Sequence, residues 1–175
     1  MVVHKNKTIF VGDPSVHEYP TSEQMAEIAI STARVVRLFG FDPKVAFVSH
    51  STFGQPLTSR TKHIRKAVDI LKEKKVDLEF DGDMQPDVAL NPEYEELYPF
   101  SKIVGKANIL IMPGQHSAAI SYKMMKTLGD TKVIGPLLIG LGLPIEIAPL
   151  RSSTSELINL ASVAAYSADV IDYKK

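Results

Sequence analysis

A three-layer α/β/α sandwich on a mixed or parallel sheet is the fold class that three features of the sequence predict. Short apolar, β-branched runs recur along the chain; longer segments with helical period lie between them; and the runs lack polar alternation. Runs of that kind read as strands buried on both faces, which is the condition of a sheet covered by helices on two sides. The expected strands are Thr8–Val11, Val45–Val48, Ala107–Met112, Val133–Ile139 and Pro144–Ala148.

The first helix places Met25, Ile28, Ala29, Thr32, Val35, Val36 and Phe39 on one face. Thr21 can cap its first turn and Gln24, three residues on, can reach back, while Gly40 and Pro43 stop it. A second helix is expected over Thr58–Lys74, with Ile64, Ala67, Val68 and Leu71 inward and Arg60, Lys62, Arg65, Lys66, Lys72 and Lys74 outward. A third is expected over His116–Leu128. The last runs from Ser153 to Ile171 and carries Leu157, Leu160, Ala161, Ala164, Ala168 and Ile171 at helical spacing.

The length of 175 residues, 45% apolar and 23% charged, suits one globular domain, and no repeat, low-complexity tract or linker divides it. Twenty basic residues balance twenty acidic ones, so no global field draws the chain to nucleic acid or an acidic membrane. Cysteine is absent, which removes disulfides, thiolate zinc sites and a cysteine nucleophile, and the cytoplasm is the expected compartment. No apolar run reaches the ~20 residues of a membrane-spanning helix. The longest, Val133–Ile147, is interrupted by Gly135, Pro136, Gly140, Gly142 and Pro144. The opening Met-Val-Val-His-Lys-Asn-Lys has the wrong order for a secretory signal.

Four segments could carry chemistry. Val45–Val48 runs into the hydroxyl-rich turn Ser49-His50-Ser51-Thr52-Phe53-Gly54, and ligands in open α/β sheets sit beyond the carboxyl ends of strands. Its hydroxyls suit phosphate, with Arg60 or Lys62 nearby; equally, they suit a loop satisfying its own backbone. Asp81-Gly82-Asp83 reads as a turn bonded to nearby backbone donors, or as a cation site. The glycines Gly135, Gly140 and Gly142, with Pro136, allow a ligand close to the backbone or tight packing of sheet and helix. Arg151-Ser152-Ser153-Thr154-Ser155-Glu156 opens the last helix, where an anion is favoured, yet Ser153 and Glu156 also have capping-box spacing. His4, His17, His50, His63 and His116 show no paired metal-ligand spacing, so no metal site is expected.

Taken in order, Thr21–Ala29, Pro43–Gly54, Leu78–Asn91, Tyr98–Ser101, Ala107–Pro113, Ile134–Leu141 and Leu157–Asn159 resemble the phosphate acetyltransferase family. The helix beginning Thr-Ser-Glu-Gln and the Asn-Pro after Val-Ala-Leu are similar to its branch at the C-terminus of bacterial hybrid malic enzymes. The resemblance spans nearly the whole chain. It implies an α/β fold of the isocitrate/isopropylmalate dehydrogenase type, whose cleft takes acetyl-CoA or acyl phosphate, with Ser49, Ser51, Thr52, Gly54, Gly135, Pro136, Gly140, Ser152, Ser153 and Thr154 as candidate ligand-binding residues. Active members exchange an acetyl group between coenzyme A and phosphate, an arginine in a Ser-Arg-Gly turn holding ligand and an aspartate on the last helix accepting the thiol proton.

Aligning Leu157-Ile158-Asn159 with the family's Ile-Val-Asn places Glu156 on that aspartate, Leu150 on the arginine and Pro149 on the serine, with Arg151 displaced by one. Misplacement of reacting groups by about 1 Å can cost about 100-fold in rate, so this departure predicts a degraded site. The resemblance further implies that the chain is the C-terminal piece of a longer malic enzyme. In that reading it senses acetyl-CoA and builds a homo-oligomer, while the preceding portion binds NAD(P) and a divalent metal and decarboxylates malate to pyruvate. The competing expectation is a working transferase with Glu156 as base and Arg151 as clamp. A third is a segment that only builds a subunit interface.

Overall fold

The computed structural model describes residues 1–13 and 15–170. In chain order the elements are β1 (Val2–His4), β2 (Lys7–Gly12), α1 (Ser22–Leu38), β3 (Lys44–Val48), α2 (Ser59–Glu73), β4 (Glu79–Met84) and α3 (Pro86–Leu90). A 3₁₀ turn at Pro92–Glu96 follows, then β5 (Ile109–Ile111), α4 (Gln115–Leu128), β6 (Thr131–Val133) and α5 (Thr154–Val170). The chain forms two compact units, Ile9–Ser121 and Met1–Thr8 with residues 122–170.

The larger unit is an α/β layer structure. Its four strands are parallel in the order β4-β3-β5-β2, with Val45 opposite Ile109 and Phe80, and Phe10 opposite Ile109. Since strand side chains alternate, Val45, Phe47, Ile109 and Ile111 share one face, where α1 and α2 pack. Ala46, Val48, Leu110 and Met112 share the other and pack with Ala89 of α3, Ile103, Ala107 and Ala118 of α4.

The helix signals read from the sequence operate as expected. Thr21 Oγ1 accepts from Gln24 N–H at 3.2 Å while Gln24 Oε1 accepts from Thr21 N–H at 2.8 Å, a reciprocal cap. Phe41 N–H to Val36 O and Gly40 N–H to Arg37 O close α1, with Gly40 in the left-handed region at φ +80°. On α2, Thr58 and Thr61 form the same kind of cap, and Ile64, Ala67, Val68 and Leu71 are buried.

Asp81-Gly82-Asp83 is not a turn: it lies inside β4, an edge strand of this sheet. The carboxylates are accommodated because backbone donors reach them. Asp81 accepts from Gly82 N–H at 2.9 Å and Lys102 N–H at 2.8 Å, and Glu79 accepts from Val104 N–H at 3.2 Å. Segment 102–104 thus lies along β4, bonded to its side chains. Gly82 has φ +149°, and a Cβ there would sit 2.6 Å from Phe47 O.

In the smaller unit β1 and β6 pair antiparallel, Val2 opposite Val133. The Met1 nitrogen donates to Ile134 O at 2.9 Å. The expected strands Val133–Ile139 and Pro144–Ala148 do not form. Val133 ends β6, and beyond it only a bridge between Leu137 and Glu146 remains. Pro136 lacks a donor, and Gly135 and Gly140 take φ +128° and +80°, which breaks a ladder. On α5 Leu160 and Val163 are buried, whereas the expected inward residues Leu157, Ala161 and Ala168 are exposed. Ile171 lies outside the described residues.

Candidate functional site

Parallel strands deliver their carboxyl ends to one edge of the sheet, and the loops leaving β2, β3 and β5 meet there. They surround a cavity of about 450 Å³. Ser49 and His50 enter it from the β3 turn, Pro113, Gly114 and Ser117 from the start of α4, and Arg60 from α2. The exposed Tyr19 ring, which also lines it, has the Arg60 guanidinium 5.5 Å from its centroid and the His116 ring stacked at 6.3 Å. His116 Nε2 is 3.5 Å from Glu18. An adjoining groove of about 410 Å³ shares Tyr19, Arg60 and Ile64 and is bounded by His63, whose ring nitrogens meet Ser22 Oγ at 3.1 Å and Pro20 O at 2.9 Å.

Of the candidates in the β3 turn, Ser49 faces the cavity and the others do not. Ser51 is fully buried and donates its hydroxyl to Asp83 Oδ2 at 2.6 Å. Thr52 Oγ1 accepts from Gln85 N–H at 3.2 Å. Gly54 serves the turn: φ is +83°, and a Cβ would sit 2.5 Å from Arg65 Nη1. Arg60 lines the cavity, while Lys62 is exposed on α2 and does not.

The remaining candidates lie in the smaller unit. Gly135, Ser152 and Glu156 border a recess of about 20 Å³ together with Lys126 and Pro149. A Cβ on Gly140 would meet nothing within 4 Å, and Pro136 does not border that recess. Ser152 donates to Pro149 O at 2.8 Å, Thr154 begins α5, and Arg151 is exposed. Glu156 forms the capping box: its carboxylate accepts from Ser153 N–H at 2.8 Å and Ser153 Oγ at 2.9 Å, while its own N–H meets Ser153 Oγ at 3.3 Å. Lys126 Nζ binds the same carboxylate at 2.6 Å. The Lys126 contact first, then the Ser153 donors, hold the Glu156 pKa at about 2.

Tyr19, His116 and Ser117 line the cavity, and the sequence did not single them out for that place. The carboxyl-edge rule that found Ser49 also applies after Ala107–Met112, and would have pointed to Pro113–Ser117. Among the described residues no three carboxylate or imidazole groups converge as metal ligands, and no helix is long and apolar enough to cross a membrane.

Fold and cavity together define an α/β protein with a ligand-sized recess at the carboxyl edge of a parallel sheet. The family description "Phosphate acetyl/butaryl transferase" matches residues 1–165, and the chain belongs to that family. An NADP-dependent malic enzyme of Rhizobium meliloti (strain 1021) is 47% identical over 164 residues, which are 94% of this chain and 22% of that protein. The phosphate acetyltransferase of Bacillus subtilis (strain 168) is 35% identical over 89% of this chain and 49% of its own length. A phosphotransacetylase structure from Streptococcus pyogenes superposes with TM-score 0.87 at 33% identity, covering 94% of this chain and 50% of that one. The chain therefore spans about a fifth of such a malic enzyme and about half of a phosphate acetyltransferase.

Proposed function

We propose that this chain is the phosphotransacetylase-like part of a bacterial, cytoplasmic malic enzyme, that it binds acetyl-CoA, and that it regulates malate oxidation instead of transferring acetyl groups. The observation that carries this reading is the engagement of Glu156. A general base works best with a pKa near the operating pH, and a carboxyl held at about 2 by Lys126 and Ser153 is a weak acceptor for a thiol proton. Leu150, which takes the place of the family's arginine in the alignment, is fully exposed and offers no charge. The 47% identity to a malic enzyme supports the same reading.

The cavity supports ligand binding in its own right: a guanidinium, imidazoles and hydroxyls line a space large enough for part of an acyl-CoA. Neither a metal-ligand cluster among the described residues nor a dinucleotide fingerprint in the sequence fits the nicotinamide cofactor or divalent cation. Both belong, in this reading, to the malate-oxidising portion. Exposed Leu128, Leu143, Leu150 and Ile158 support self-association.

Acetyl-CoA titrated into the full-length enzyme while malate oxidation is followed is expected to shift the apparent malate affinity by about 5–150-fold, the usual range of site coupling. Unchanged kinetics at saturating ligand rejects the sensing role. Phosphate-dependent loss of acetyl-CoA, abolished by Glu156→Gln, would establish the transferase instead. Sedimentation as a monomer would remove the oligomerising role.

A further inference from the structure

The turn after β3 is fastened to the end of β4. Ser49 N–H donates to Met84 O at 2.9 Å and Phe53 N–H to Asp83 O at 2.6 Å. The side chain of Asp83 adds a bond of another kind. It is fully buried, its Oδ2 accepts the Ser51 hydroxyl at 2.6 Å, and its Oδ1 has no partner. Burying a half-satisfied carboxylate is costly, and the backbone bonds of the turn do not require it.

Ser51 passes the constraint on. Its N–H donates to Ser49 Oγ at 3.2 Å. That bond occupies a lone pair of Ser49 and leaves the Ser49 hydroxyl hydrogen without an acceptor among the described residues, at the wall of the 450 Å³ cavity. Ser117 differs, since its hydroxyl hydrogen is already donated to Gly114 O at 2.7 Å. Ser49 is thus a preset donor, suited to a carbonyl or phosphate oxygen.

We propose that Asp83 and Ser51 are positioning residues that hold Ser49 as a hydrogen-bond donor to an acceptor oxygen of acyl-CoA in this cavity. The proposal rests on the acetyl-CoA-binding reading above. Neither Asp83 nor Ser51 touches the ligand; both act through the orientation of Ser49.

A double-mutant cycle tests it by calorimetric titration of acetyl-CoA into the full-length protein. Ser49→Ala is expected to weaken binding about 5–10-fold, the worth of one hydrogen bond, and Ser51→Ala, which keeps its N–H to Ser49 but unties the turn from Asp83, by at least twofold and no more than that loss. The double variant should bind no worse than Ser49→Ala alone, because Ser51 has nothing left to position. Asp83→Asn, which keeps an acceptor for the Ser51 hydroxyl, should stay within about twofold of wild type. Coenzyme A titrated alongside locates the oxygen: equal weakening assigns it to the coenzyme portion that both compounds share, weakening confined to acetyl-CoA to the acyl carbonyl. Additive penalties, or wild-type affinity in Ser51→Ala, overturn the relay while leaving acetyl-CoA binding intact. Failure of the wild-type protein to bind either compound overturns the relay and the sensing reading together.

Discussion

Gly82→Ala probes the closest backbone approach in the larger unit. An alanine there must adopt φ near +149°, a region that costs a non-glycine residue about 1–3 kcal/mol. Its Cβ would also lie 2.6 Å from Phe47 O and 2.8 Å from Phe47 Cβ. Phe47 is fully buried in β3, paired with β4, so neither strand can yield without losing register, and overpacking of this kind costs about 1–3 kcal/mol more. The total expected is about 4 kcal/mol. With a urea slope of about 2 kcal/mol/M, the unfolding midpoint should fall by about 2 M. Gly40→Ala is the control: φ is +80°, but a Cβ would meet nothing within 4 Å, so about 1 kcal/mol is expected. Equal penalties at the two glycines would refute the argument, since the Phe47 contact, with the less favourable φ of Gly82, is what separates them.

Leu71→Ala, which empties a fully buried position on α2, should cost about 2–5 kcal/mol in the same urea experiment. Thr21→Ala and Thr58→Ala remove the caps of α1 and α2 and should each cost about 0.5–2 kcal/mol by thermal or urea unfolding. Glu156 should titrate near pH 2 by carbon NMR, and Lys126→Ala should move its midpoint upward toward the ordinary carboxylate range. Because the folded pKa is depressed, its contribution to stability is complete above the unfolded value of about 4.5. It is lost as pH falls from there through about 2. Insensitivity of the midpoint to Lys126→Ala would show that the cap, not the lysine, dominates.

Helices α1, α2, α4 and α5 were legible because their signals are local, whereas the five-residue α3 was not expected. Thr21 with Gln24, Gly40 after Phe39, and apolar residues at intervals of three and four need no tertiary knowledge. Strand β4 was hidden because Glu79, Asp81 and Asp83 look like a solvated turn until donors from Lys102, Val104 and Ser51 reach them. Conversely, residues 134–148 are apolar enough to read as two strands, but Gly135, Pro136 and Gly140 impose a backbone that no ladder follows. On α5 the apolar residues outnumber the places that bury them, so periodicity alone chose the wrong face for Leu157 and Ala161. The strand-end rule singled out Ser49 and Arg60, both of which line the cavity. Tyr19, His116 and Ser117 were not singled out, because strand order brings their distant loops together.

The segment lying beside β4 shapes the behaviour of the chain in a crowded solution. A bare outer strand is a template onto which a foreign strand can add, and such addition seeds aggregation. Here Glu79 and Asp81 hold the amides of Lys102 and Val104 while Ile103 packs with Ala46 and Val48 on the sheet face, and carboxylates on an outer strand are themselves a barrier to such addition. Neutralising Asp81 and Glu79 together would release that segment and remove the charge, favouring intermolecular strand addition.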